Sequence, residues 1–156
     1  MASVHDVAKY ILGKRGSMST WKLQKLVYYS QAWHLVWRDD PLFADQIEAW
    51  ANGPVVRALY DRHRGRFSID DWAIGDAESL GDGERKSIDA VLTAYGDLSG
   101  RQLSFLTHSE SPWRDARGDL PPTERADVEI SQSSMQAFYS ALDTDENATP
   151  VEEIDW

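Results

Sequence analysis

With 156 residues, the chain is long enough to bury one substantial core, and its 7 Trp, 6 Tyr and 4 Phe supply large apolar areas for it. The absence of Cys excludes disulfides and thiolate metal sites. The net charge of −10 arises after residue 78: residues 1–78 balance ten basic against ten acidic side chains, whereas 79–156 hold six and sixteen. That balance argues against general nucleic-acid binding, which requires Lys and Arg to neutralise phosphates, and suits a basic protein partner.

The N-terminus, MASVHDVAKY, lacks the basic-then-apolar order of a signal peptide, so a cytoplasmic protein is expected. Ser3 is placed to cap a first helix with a stripe of Val4, Val7, Ala8, Ile11 and Leu12, closed by Gly13 and Gly16. Ser19 is expected to cap a second helix, Thr20 to Trp37. Its main stripe is Leu23, Leu26, Val27, Ser30, Trp33 and Trp37, widened by Tyr29 and Val36; Tyr28, Ala32 and Leu35 lie on the far side. Only Lys22, Gln24 and Gln31 form a polar strip. A helix apolar nearly all round belongs at the centre of a helical core. Its two Lys, two Gln and one His argue against a membrane span.

Pro41 stops the second helix. The pattern after it predicts a small hairpin, Leu42–Ala44 with Ile47–Trp50. Asn52-Gly53-Pro54 then reads as a turn into a third helix with Pro54 near its first position. That helix has Val56, Leu59, Tyr60 and His63 inward and Arg57, Asp61 and Arg64 outward. Residues 65–82 form a long connection pinned by its aromatics. Ile88, Val91, Leu92 and Tyr95 mark a fourth helix, and Ser99 with Gln102 forms a capping box for a fifth. Ser111 is expected to cap a sixth helix with Pro112 at its start, Asp127–Ile130 reads as a short strand, and Ser131 caps a last helix carrying Met135, Phe138, Tyr139 and Leu142. The expected fold is mainly α: a compact helical domain around one central buried helix, with a small β-hairpin or three-stranded sheet. Residues 1–142 form the domain, and 143–156, with six acids and no base, an acidic flexible tail.

No metal-binding spacing joins His5, His34, His63 and His108, and neither a metal nor a cofactor is expected. His34 reads as a structural histidine. The best cluster for acid–base chemistry is His108-Ser109-Glu110, which supports a small hydrolase as one alternative. Arg57, Arg62, Arg64 and Arg66 form the one basic concentration, diluted by Asp61, Asp70 and Asp71; Arg57 and Arg64 are candidate partner contacts. In the tail, Ile154 and Trp156 are candidate apolar anchors for a partner, with Asp143, Asp145, Glu146, Glu152 and Glu153 as electrostatic guides.

Three stretches carry a family resemblance. KLQKLVYYSQAWHL at 22–35, IEAWANGPVVRALY at 47–60 and LSFLTHSESPW at 103–113 together resemble the signatures of the Panacea antitoxin domain, the SocA-type antitoxins. By position the first covers Lys22, Leu23, Gln24, Lys25, Leu26, Tyr28, Tyr29 and Gln31. The second covers Glu48, Trp50, Gly53, Pro54, Val55 and Tyr60, and the third Leu103, Thr107, His108, Pro112 and Trp113. The resemblance implies a mainly helical domain without catalysis that neutralises a toxin encoded nearby by direct binding, often on mobile or prophage DNA. Some SocA-type members also deliver their toxin to the ClpXP protease. A DNA-binding autoregulator is a further alternative, the link KRGSMS between the first two helices standing where a helix-turn-helix would turn; the acidic charge weighs against it.

Overall fold

The computed structural model describes residues 1–156. Helix α2 (Thr20–Arg38) runs through the centre. Around it pack α1 (Val4–Arg15), α4 (Asp82–Tyr95), α5 (Gly100–His108) and α7 (Gln132–Thr144), while α3 (Arg57–His63) and α6 (Ser111–Arg117) flank a small sheet. The reason for the central position is the one read from the wheel: both faces of α2 are apolar. Leu23, Leu26, Val27 and Tyr29 are fully buried, and Tyr28, Ala32 and Leu35 on the other side are buried as well. Of the polar strip, Gln24 and Gln31 also lie inside, at 2% and 1% exposed, while Lys22 is half-buried. Trp37, expected in the buried stripe, is instead 42% exposed where the helix leaves the core.

Local capping chemistry sets most boundaries. Ser3 accepts from His5 N–H while Asp6 accepts from Ser3 N–H, and Ser19, Ser99 and Ser131 each accept from the backbone three residues on. Gly13 stays inside α1; Gly16 alone ends it, at φ +78°. At α6 the cap position falls to Glu110, one residue before the expected Ser111, so Pro112 sits one place further in. Glu110 gives its helix no side-chain cap because its carboxylate faces the core.

The hairpin differs from expectation in its pairing. β2 (Ile47–Trp50) pairs with β3 (Gly53–Val56), with Trp50 opposite Gly53, and on its other edge with β5 (Glu129–Ile130). Leu42–Ala44 is not a strand; Phe43 makes only an isolated parallel bridge to Ala2. Gly53-Pro54 therefore begins a strand rather than a helix, and the turn is Ala51-Asn52. Two β-branched residues, Val55 and Val56, favour the extended form, and Pro54 is tolerated because β3 is an edge strand. β1 (Met18–Ser19) pairs with β4 (Ser68–Ile69) in the 65–82 connection. There Ile69 and Trp72 are buried, Trp72 donating to His5 Nδ1 at 3.1 Å, while Phe67 is 86% exposed and contributes only its carbonyl, which accepts from Thr20 N–H at 3.0 Å. No helix is long and apolar enough to cross a membrane.

Candidate functional site

The first turns of α2 project their polar residues beneath the hairpin. Gln24 accepts from Val56 N–H at 2.9 Å and donates to Val56 O at 3.2 Å, as a neighbouring strand would. Its amide also meets His63 Nε2 at 2.9 Å. Two turns later Gln31 repeats the device, accepting from Leu42 N–H at 2.7 Å and donating to Phe43 O at 2.8 Å. These amides satisfy buried backbone groups that lie outside regular ladders. Between them, Lys25 is 0% exposed and donates to Pro54 O at 3.1 Å. No carboxylate pairs with it, and burial pushes its ammonium down to about 7. Gly53 is required above it: its φ is +117°, and a Cβ there would stand 2.5 Å from Lys25 Cε.

The other two signatures close this frame. Glu48 accepts from Trp50 Nε1 at 2.7 Å and from Arg57 at 3.1 and 3.3 Å, and Arg57 lies over the Trp50 ring. Trp50 in turn meets Tyr60 edge-on at 4.8 Å. Trp113 donates to Trp50 O at 2.8 Å and stacks on His108 at 3.9 Å. Thr107 donates to Ser104 O, and Leu103 is fully buried. Burial lowers the His108 pKa, with the charges of Lys25 and Arg117 adding to the effect, and its Nε2 is buried without a partner.

His108 and Glu110 make no hydrogen bond to each other. Glu110 instead accepts from the hydroxyls of Tyr29 and Tyr139, each at 2.7 Å, and burial pushes its carboxyl up to about 7. Tyr28 joins the cluster through Tyr139 at 3.0 Å. His34 is held by Ser87 at 2.8 Å, as a structural histidine is. Sequence reasoning passed over Arg117, which is 4% exposed and binds the carbonyls of Ala49, Pro121 and Glu124, tying the connection before β5 to the sheet. Its spacing of four from Trp113, whose ring it covers, was the available signal.

Above this frame opens a groove of about 810 Å³, bounded by the start of α2, the hairpin, α3 and residues 125–127. Gln24, Lys25 and His63 lie at its floor, with Trp21, Trp50 and Tyr60 along its walls. Arg57 and Arg64, the candidate contacts from sequence, both line it and both are exposed. Arg125 lines it too and is exposed.

The acidic C-terminal residues lie at the other end of α2. After α7 the chain forms a single 3₁₀ turn, Val151–Glu153. Val151 and Ile154 are half-buried along a second, more apolar groove of about 500 Å³, shared with Trp33, Trp37, Tyr95 and Leu106. Trp156 meets Phe105 edge-on at 6.1 Å, while Asp143, Asp145, Glu146, Glu152 and Glu153 face solvent. The structure thus separates the two sets of sequence-predicted contacts, the arginines at one end of the central helix and the tail at the other. No group of three or more His, Asp or Glu is placed to hold a metal.

No curated protein and no solved structure matches the chain. The family model described as the SocA-like antitoxin, Panacea domain, matches residues 23–114, more than half of the chain and all of the frame between Leu23 and Trp113. The chain belongs to the SocA-like Panacea antitoxin domain family.

Proposed function

We propose that this protein is the antitoxin of a toxin–antitoxin pair, acting in the cytoplasm and neutralising a toxin encoded beside it by forming a stable complex rather than by turnover. The observation that carries this reading is membership of the antitoxin family through residues 23–114. The side chains support it. Most signature residues are engaged with one another or with backbone inside the frame, so their chemistry holds the fold, while the charged surface around it is available for contact.

Two regions are suited to that contact. The rim of the first groove offers Arg57 and Arg64. The tail offers Ile154 and Trp156 as apolar anchors among its carboxylates, matched to the basic surfaces of toxins that act on nucleic acids or nucleotides. Ordering a released tail costs conformational entropy, so it adds to the folded surface rather than replacing it. The test is growth. Expression of the neighbouring gene alone should arrest a heterologous host, and co-expression of this protein should restore growth. Continued arrest with both proteins made in soluble form would overturn the reading.

A further inference from the structure

We propose that the groove at the start of α2 receives an acidic segment of the partner protein, whose carboxylates supply the negative charge that Lys25, Arg64 and Arg125 lack within this chain; this rests on the antitoxin reading above. Lys25 is the first reason. It is fully buried, it has one hydrogen bond for three N–H donors, and no carboxylate stands near enough to pair with it. The ionisable neighbours that feel its charge, His63 and His108, are themselves bases. A buried cation without a counter-ion is costly, and although Lys25 has no exposed surface of its own, its charge lies directly beneath the groove and favours an anion bound there.

The rim is the second reason. Arg57 is already answered by Glu48, but Arg64 and Arg125 enter no ion pair. They stand over the floor in a protein whose net charge is −10. Asp61 and Asp127 on the same rim decide the kind of anion. They would repel a polyanion such as nucleic acid along its length, yet leave room for one or two carboxylates of a peptide. The walls of Trp21 and Trp50 suit the apolar residues between those carboxylates.

The test is calorimetric titration of the full-length protein with an inactive variant of the toxin encoded beside it. Arg64→Glu with Arg125→Glu should weaken binding about tenfold or more. Lys86→Glu with Arg101→Glu, the same charge change at exposed positions outside the groove, should alter it less than threefold. Lys25→Met removes the buried charge together with its bond to Pro54 O, and the variant, folded by circular dichroism, should bind at least threefold more weakly; a folded variant that binds within threefold of the wild type would overturn the role of Lys25. Binding by the groove pair within threefold of the wild type, or equal weakening by the control pair, would overturn the groove while leaving direct binding intact. Displacement of the toxin by a dT12 oligonucleotide in physiological salt would replace the acidic segment with nucleic acid and overturn it too. Absence of binding by the wild type would refute the antitoxin reading itself, and the groove proposal with it.

Discussion

Glu110 and Lys25 are buried ionisable groups facing no opposite charge, and they make the stability of this protein depend on pH in opposite directions. Burial raises Glu110 from 4.5 to about 7, so its contribution is fully present below about 4.5 and is lost as pH rises to about 7. Glu110→Gln keeps an acceptor for Tyr29 and Tyr139 but cannot ionise. Between pH 4.5 and 7 the wild type should lose on the order of 3 kcal/mol relative to this variant. Denaturation at pH 5 and pH 8 checks this, and a pH-independent difference would contradict it. Lys25 is lowered from 10.5 to about 7, so its contribution is present above about 10.5 and falls as pH drops to about 7. Gly53→Val combines a φ of +117° with a Cβ against Lys25, and should destabilise by about 2–4 kcal/mol or prevent folding. Leu26→Ala, in the middle of the core, should cost about 2–5 kcal/mol; an unchanged thermal midpoint for either variant would contradict its assigned place. The caps at Ser3, Ser19, Ser99 and Ser131 were legible because donor and acceptor lie within three residues. The roles of Gln24, Lys25 and Glu110 were not, since their partners lie 29 or more residues away.

Among the elements, α2 could be read from its sequence because burial on two sides requires apolar residues on both. β3 could not. Gly-Pro before an amphipathic run carries the same local signal as a helix start, and only the pairing of Val56 with Ile47 and with the Gln24 amide selects the strand. The same non-local pairing left Leu42–Ala44 without the strand partner its composition suggested. The second groove was equally hidden, because Trp37 falls on the helical stripe yet lies beyond the packed part of α2. Residues 143–156 lie along that groove, so truncation after Leu142 should preserve the helical fold but uncover Trp33, Trp37, Tyr95 and Leu106. An increase in binding of an apolar fluorescent dye, with unchanged helical circular dichroism, is the expected result; no increase would contradict the docking of the tail. Full neutralisation of the toxin by the truncated protein would remove the tail from the contact surface and leave the antitoxin reading intact.

At the scale of the whole molecule, family, frame and charge combine in one account. The signature residues build the centre from hydrogen bonds between distant segments, and the proposed function falls to the surface that this centre holds in place. On the proposed antitoxin reading the protein acts by occupancy, so its effect should scale with the number of molecules present. The most direct measurement is the residual activity of the neighbouring toxin, titrated with increasing amounts of this protein well above the dissociation constant. The account predicts a linear fall to an end point at a fixed molar ratio, with the two proteins co-eluting as one complex. Complete inactivation by a small fraction of an equivalent, or inhibition without a complex, would contradict it.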